Sequence, residues 1–278
     1  MGTFYVIGTP IGNLEDITVR AARILSSVPL VAAEDTRVTR RLLAHLDARP
    51  RLISCNEHNW RRRLPALLEA LDSGDAALVT DAGSPGISDP GDGVVAAVAD
   101  ASYPVVSVPG VSAVSAALSV AGFPADRFMF LGFLPRRRSE RRVTLTDAAR
   151  SGHTLVIFEA PHRLRATLTD ISDALNDPLL TVCRELTKLH EEVWRGLSSD
   201  ALERFEEPRG EFTIVVGPTL LEETATAGEP AITVEAARDT LMQRRAAGVR
   251  GREAVAEVVV ATGLPRRVVY ALWVETGR

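Results

Sequence analysis

Short apolar runs that alternate with helical patterns are the feature of this sequence that most restricts its fold. Within residues 1–121, five such runs are each followed by an amphipathic or apolar helical stretch. The five runs cover residues 4–7, 30–33, 52–55, 77–80 and 105–108. Strands that alternate with helices form a mostly parallel sheet with helices on both faces. The pattern therefore predicts an α/β fold for residues 1–121.

The alternation restarts after Gly122-Phe123-Pro124, which we interpret as a seam between two domains. Further strands are predicted over residues 128–132, 154–158, 180–184, 191–196 and 211–216, and helices over 137–150 and 162–175. The close spacing of the later strands favours a second, mixed α/β domain over residues 122–220. Residues 219–230 read as a polar linker, and residues 231–278 as a small unit of helix-turn-helix type.

Composition limits the class of protein. A content of 46% hydrophobic and 24% charged residues is typical of a soluble globular chain. The sequence has no uncharged apolar stretch long enough to cross a membrane, so we expect no membrane partner. An N-terminus without a basic leader, and two cysteines (Cys55 and Cys183) without metal-type spacing, predict a reduced, cytoplasmic compartment. The net charge of −4 still leaves room for a local basic patch.

Three glycine-rich turns follow predicted strands, at residues 8–14, 81–91 and 109–113. Turns at the carboxyl ends of parallel strands are where open α/β sheets bind ligands. Glycine lets main-chain groups approach such a ligand closely. Each turn alone is equally well a tight connection. The second is harder to explain in that way, because its eleven residues hold three glycines, two prolines and two aspartates. Together the turns predict a pocket that binds a nucleoside-like molecule largely through the backbone.

Several common catalytic motifs are missing from the sequence. It contains no G-x-G-x-x-G dinucleotide fingerprint, no phosphate-binding P-loop and no G-x-S-x-G nucleophile elbow. Its five histidines lack the spacing of zinc ligands. These absences argue against NAD dehydrogenases and P-loop NTPases, and we expect no protein-bound metal.

Charged clusters occur at the ends of four predicted strands, over residues 33–37, 56–59, 159–163 and 184–188. A single cluster is more often a structural ion pair, whereas four around one cleft favour a functional site. Two arginine runs, at 61–63 and 136–142, are either solvated helix faces or phosphate contacts. Five arginines within the second run favour phosphate binding, because arginine grips phosphate oxygens bidentately.

In these motifs the sequence resembles the small-subunit ribosomal RNA 2′-O-methyltransferase I family, a group within the tetrapyrrole-methylase superfamily. The resemblance rests on the three glycine turns, residues 33–37, Gly132-Phe133-Leu134-Pro135, Glu159-Ala160-Pro161-His162-Arg163 and residues 184–188. It continues through Gly217-Pro218 into the tail and so covers essentially the whole chain. One departure is Ser54-Cys55 before residues 56–59, where the family carries an aromatic residue and a further histidine.

The resemblance implies two α/β domains with S-adenosylmethionine in the cleft between them, and a homodimer. It also implies methylation of a cytidine ribose 2′-oxygen in small-subunit (16S) ribosomal RNA, either as naked RNA or in the assembled subunit. The residues assigned to the donor are Gly8, Pro10, Asp81, Gly83, Ser84, Gly86, Ile87, Ser112, Ala113 and Phe158. The residues assigned to the RNA are Arg37, His58, Arg136, Arg137, Arg138, Arg141, Arg163 and Arg184. The helical tail either touches RNA or braces the dimer.

Lys188 is the only lysine among 32 basic residues and is our first catalytic candidate. A desolvated lysine acts as a base or as a compact charge partner, whereas arginine keeps its proton. The alternative is a salt bridge from Lys188 to Glu191 or Glu192. Glu159 and His162 are the further catalytic candidates.

Two rival functions stay open at this point. A methyltransferase for a tetrapyrrole or other small molecule would share the fold and the donor site. A small acceptor, however, requires neither the arginine run nor the helical tail. An RNA-binding factor without catalytic activity does not require the three glycine-rich turns of a donor site.

Overall fold

The computed structural model describes residues 1–219, 234–247, 249, 251–262, 269, 270, 272, 273 and 276. The chain forms two compact units, Met1–Leu221 and Glu222–Arg278. The first unit contains both β-sheets and the glycine-rich turns. The α/β fold class predicted from the sequence is confirmed.

The first sheet is wholly parallel, with the strand order β3-β2-β4-β1-β5. Its strands are β1 (Phe4–Ile7), β2 (Leu30–Ala33), β3 (Arg51–Ser54), β4 (Ala76–Val79) and β5 (Val105–Val108). The helices that follow them are α1 (Val19–Ser27), α2 (Thr36–His45), α3 (Trp60–Ser73), α4 (Asp92–Asp100) and α5 (Ala113–Ala121). All five turns after the strands therefore lie at one edge of the sheet.

Alternating strand residues bury both faces of this sheet. In β2, Val31 packs into the cluster formed with α1 and α2, whereas Leu30 packs into the cluster formed with α3 and α4. Every residue of β2 and β4 is buried. Continuous apolar strands of this kind are expected where helices cover both faces of a parallel sheet.

The second sheet is mixed, with the strand order β6-β7-β10-β8-β9. Its strands are β6 (Phe128–Phe133), β7 (Thr154–Glu159), β8 (Leu179–Arg184), β9 (Glu192–Leu197) and β10 (Phe212–Val216). Its helices are α6 (Arg138–Ala149), α7 (Pro161–Leu175) and α8 (Ser198–Arg204). β6 and β7 are parallel, while β10 runs antiparallel to both β7 and β8.

Helix α5 packs on the second sheet although it follows a strand of the first. Val114, Ala117 and Ala121 form one buried cluster with Val156, Cys183 and Val215 of β7, β8 and β10. The turn that precedes α5 is thereby held between the two sheets. The division into domains 1–121 and 122–220 stays a prediction, with α5 as the element that would connect them.

The second compact unit contains α9 (Val234–Ala246) and α10 (Gly251–Thr262). Ala237, Leu241, Val255 and Val258 form its core together with residues near the C-terminus. The predicted linker lies outside the described residues from 220 onwards, as does most of the last predicted helix. Among the described residues, no helix is long and apolar enough to cross a membrane.

Candidate active site

The three glycine-rich turns form a single frame at the end of the first sheet. The first and second turns are joined by a two-residue bridge, in which the Thr9 amide donates to the Gly83 carbonyl at 2.8 Å and the Gly83 amide donates back at 3.1 Å. The first and third turns touch through bare backbone, because a Cβ on Gly110 would lie 2.5 Å from the Gly8 carbonyl oxygen. Glycine is therefore required at this crossing.

This frame opens into a cavity of about 320 Å³, called here the donor cavity. Six of the ten residues predicted to bind the donor line it. They are Gly83, Ser84, Ile87, Ser112, Ala113 and Phe158. Ser112 precedes α5 as predicted, but its side chain makes no capping hydrogen bond. The second sheet contributes Glu211, Phe212 and Thr213 to the lining of the cavity.

The other four predicted donor residues do not line the donor cavity. Gly8 belongs to the frame behind it, and Gly86 turns the backbone with a φ of +82°. Pro10 and Asp81 line a second cavity of about 480 Å³, called here the adjoining cavity. Asp81 therefore lies beside the donor cavity instead of within it.

Sequence reasoning missed several lining residues, of which Phe133 and Asp89 are the most informative. The Phe133 ring packs edge-to-face on Phe158, with 5.8 Å between centroids, and is 55% exposed. A half-exposed aromatic ring at a cavity wall offers an apolar face to a planar ligand. Phe133 ends β6 within the Gly132–Pro135 motif, and this position could have identified it as a site residue from the sequence.

Three carboxylates lie near the edge of the first sheet. Burial, together with the negative charges of Glu34 and Asp81, raises the pKa of Asp89 to about 6. Burial also raises the pKa values of Glu34 and Asp81. The Glu34 carboxylate accepts from the Asp81 amide at 3.3 Å, and Asp81 in turn accepts from the Asp35 amide at 3.0 Å. Mutual repulsion of this kind is relieved when a cation binds nearby.

Glu159 lies at the wall of the donor cavity, but its carboxylate is fully enclosed. One oxygen accepts from the Ala160 amide at 2.9 Å and lies 3.4 Å from Arg163 Nε. The other oxygen accepts from the Thr167 hydroxyl. These contacts favour a role for Glu159 in holding the start of α7, and its catalytic role stays a prediction.

Lys188 lines the adjoining cavity and forms ion pairs with Glu185 at 3.0 Å and Glu211 at 2.8 Å. Burial alone would lower the pKa of Lys188, but the hydrogen bonds with Glu211 and Glu185 outweigh it and raise the pKa. This direction favours the charge-partner hypothesis over a neutral Lys188 base, and the catalytic role of Lys188 stays a prediction. The alternative, a salt bridge from Lys188, is present, but its partners are Glu185 and Glu211 instead of Glu191 or Glu192.

The two histidines singled out from the sequence are both exposed. His162 lies in the first turn of α7, outside the residues that line the donor cavity. His58 borders a shallow polar surface with Glu34 and Asp81. Arg37 also lies near this surface, and its side chain is 84% exposed although its Nη2 lies 2.7 Å from the Asp35 carboxylate.

The arginine run over 136–142 is largely occupied by ion pairs. Arg141 is 5% exposed and pairs with Asp170, which is itself 1% exposed. Arg138 bonds the same carboxylate at 2.9 Å. A buried and paired guanidinium has no free face for a phosphate, so these contacts favour a structural role for Arg141, and its contact with RNA stays a prediction. Arg136 and Arg137 are exposed, the latter beside Glu140 at 3.3 Å.

Arg163 and Arg184 also support loops in this structure. Arg163 Nη2 donates to the carbonyl oxygens of Leu134 and Pro135, at 2.6 and 3.2 Å, which ties α7 to the segment carrying Phe133. Arg184 Nε donates to the Arg209 carbonyl at 2.7 Å. Both contacts favour positioning roles over direct RNA contacts.

A parallel sheet and a mixed sheet that both line a cavity framed by glycine turns define the class of this protein as an α/β protein with a ligand-sized cavity. The family model "Tetrapyrrole (Corrin/Porphyrin) Methylases" matches residues 3–202. The chain is 43% identical to ribosomal RNA small subunit methyltransferase I of Synechocystis sp., over 99% of this chain and 98% of that protein. It is 38% identical to the Bacillus subtilis protein of the same name, over 97% and 93% of the two chains. The chain therefore belongs to the tetrapyrrole methylase family, and within it to the ribosomal RNA small subunit methyltransferase I group.

Solved structures share this fold at low sequence identity. Uroporphyrin-III C-methyltransferase from Thermus thermophilus, complexed with S-adenyl homocysteine, superposes with a TM-score of 0.57 at 22% identity, covering 78% of this chain and 97% of that chain. Diphthine synthase superposes with a TM-score of 0.62 at 12% identity, covering 80% and 92%. These likenesses establish the two-sheet architecture, and the family resemblance predicted from the motifs is confirmed by the sequence relatives.

Proposed function

We propose that this chain transfers a methyl group from S-adenosylmethionine to the ribose 2′-oxygen of a cytidine in small-subunit ribosomal RNA. The observation that carries the proposal is a cavity framed by three joined glycine turns, in a chain related over its whole length to proteins named for methylating this RNA. We further propose that it acts in the cytoplasm as a homodimer, as the resemblance implies.

The donor cavity suits a nucleoside-sized ligand. Its volume of about 320 Å³ lies within the range of small-molecule pockets, roughly 300–1,000 Å³. Gly83, Ser112 and Ala113 line it from the glycine-rich turns, while Phe158 and Phe133 supply apolar ring surface. We assign the donor to this cavity, with its positively charged sulfonium on the side of Asp89.

The reaction is an in-line displacement. The bond between sulfur and the methyl carbon breaks with its electron pair remaining on sulfur, and a bond forms between that carbon and the 2′-oxygen. The proton of the hydroxyl leaves at the same time. Because the sulfonium is already activated, most of the acceleration comes from holding the oxygen, carbon and sulfur in line.

We assign the departing proton to the carboxylate of Asp81. Glu159 is enclosed and Lys188 is held as a cation, so neither of these candidates fits the role of base. Asp81 lies on the adjoining cavity, and burial raises its pKa, which increases its basicity. The ammonium of Lys188 lies on the same cavity and stabilises negative charge that develops on the acceptor oxygen.

Donor binding is expected to weaken as the pH falls below about 6. Asp89 is ionised above its pKa of about 6 and protonated below it, so its attraction for the sulfonium cation is lost on acidification. S-adenosylhomocysteine carries a neutral sulfur, and its affinity is expected to change less. Calorimetric titration of both ligands at pH 5.0 and 7.5 measures this difference, and Asp89→Asn is expected to remove it. Equal pH dependence for the two ligands would contradict the assignment of Asp89 to the sulfonium.

The proposed activity is tested by tritium transfer from labelled donor to small ribosomal subunits, and to naked RNA, from cells that lack this gene. Nuclease mapping is expected to place the label on one cytidine ribose. Label on neither substrate, despite measurable donor binding, would refute the RNA function and favour a small-molecule methyltransferase of the same fold.

A further inference from the structure

The adjoining cavity opens directly beside the donor cavity. The two cavities share Ile11, Ala82 and Glu211 as lining residues. Its volume of about 480 Å³ exceeds that of the donor cavity. A ligand here would lie next to the donor where the two cavities meet at these shared residues, which is the placement a methyl acceptor requires.

The lining of the adjoining cavity combines an apolar lip with charged groups. Leu14 and Val38, which are 38% and 37% exposed, line it from the first glycine turn and from α2. Arg41 lies one helical turn after Val38 on the same helix. Asp81 and Lys188 line the cavity on the side of the first sheet's edge and of β8, respectively. Apolar surface for a base, a cation for a phosphate and a carboxylate for a hydroxyl are the groups that recognise a nucleotide.

Arg41 differs from the arginines of the predicted RNA-binding run. Arg138, Arg141 and Arg142 are each paired with Asp170 or Asp173 on α7. Among the described residues, the exposed side chain of Arg41 has neither an ion pair nor a hydrogen bond. Its guanidinium therefore keeps its full capacity for a phosphate, without the cost of breaking an existing pair.

We propose that the adjoining cavity is the subsite for the acceptor nucleotide, with the base on the Leu14–Val38 lip, a flanking phosphate on Arg41 and the ribose hydroxyl towards Asp81. The inference rests on the proposed function and adds to it the place at which the RNA strand enters. The strand then runs along α2 of the first sheet instead of along α6 of the second.

Filling the cavity is the first test. Val38→Trp places a large ring in the adjoining cavity, and Val19→Trp is the matched control because Val19 is an 88% exposed valine on α1. We expect Val38→Trp to lower methyl transfer to small subunits about 100-fold, the scale of a misplaced reactant, while donor affinity stays within about twofold of the wild type. Val19→Trp is expected to change neither quantity. Unchanged donor affinity also shows that the variant is folded.

Removing the cation is the second test. Arg41→Met is expected to raise KM for the RNA about tenfold, and to lower the slope of log(kcat/KM) against log salt by about one, since one phosphate contact is lost. Arg23→Met is the control, because Arg23 is an exposed arginine on α1 that does not line the cavity. A purely structural role for Arg41 would not alter the salt slope.

The two proposals fail in different ways. A wild-type protein that labels neither subunits nor RNA refutes the proposed function. A wild-type protein that labels RNA, together with Val38→Trp as active as Val19→Trp, refutes the acceptor subsite alone. Arg41→Met with the KM and salt slope of Arg23→Met refutes the phosphate contact.

Discussion

Replacing Gly110 by alanine is expected to cost most of the donor affinity. The new Cβ would lie 2.5 Å from the carbonyl oxygen of Gly8 and 2.6 Å from its carbonyl carbon. Both are backbone atoms, so neither can rotate away as a side chain would. The first and third turns must separate, which moves Ser112 and Ala113 at the donor cavity. Overpacking costs roughly 1–3 kcal/mol, and we expect a loss of affinity of about 10- to 100-fold in calorimetric titration.

Gly74→Ala provides the matched control for this substitution. Gly74 is a glycine of the same unit, directly after α3, but a Cβ there would meet only Pro29 Cγ at 3.5 Å, an ordinary contact. Its backbone is extended, so alanine adopts the same conformation without strain. Donor affinity is expected to be unchanged. If Gly110→Ala and Gly74→Ala bind the donor equally well, the crossing of the two turns does not shape the donor cavity.

Local patterns predicted the sheets because each strand carries its own signal. β2 is four buried apolar residues between two helical patterns, and the structure places the strand at the predicted residues. The seven-residue helix α8 was not predicted, since so short a segment shows less than two turns of periodicity. The turn residues Ser84 and Ser112 were found in the same way, because glycine and proline mark the ends of strands.

Contacts between distant segments explain what could not be predicted. Asp170 lies 29 residues after Arg141, and nothing in the arginine run itself reveals that α7 supplies its counter-ions. The ion pairs of Lys188 with Glu185 and Glu211 depend in the same way on the neighbouring loop. Asp89 lay within a turn that the sequence singled out, but its raised pKa comes from burial, from Glu34 after another strand and from Asp81 at the start of the same turn. The charge on a side chain is readable from sequence, whereas its partner is set by the fold.

Removing the negative charge of Asp170 is expected to destabilise the protein strongly. Asp170 accepts from Arg141 Nε at 2.7 Å and from Arg138 Nε at 2.9 Å, and its side chain is 1% exposed. Asp170→Asn keeps the shape but leaves the buried guanidinium of Arg141 without a counter-charge. Breaking a buried ion pair from one side costs about 3–5 kcal/mol. We expect a fall in Tm of roughly 10 °C, measured by calorimetry.

Asp173 supplies the comparison that separates burial from charge. It lies on the same helix and also pairs with two arginines, at 3.0 Å each, but its side chain is 44% exposed. Water screens such a pair, so Asp173→Asn is expected to change Tm by less than about 2 °C. The double variant Arg141→Met with Asp170→Leu is expected to recover most of the lost stability, because no charge is then left buried. Equal falls in Tm for Asp170→Asn and Asp173→Asn would show that the ion pair with Asp170 does not hold Arg141 in place. Arg141 would then again be a candidate for RNA binding.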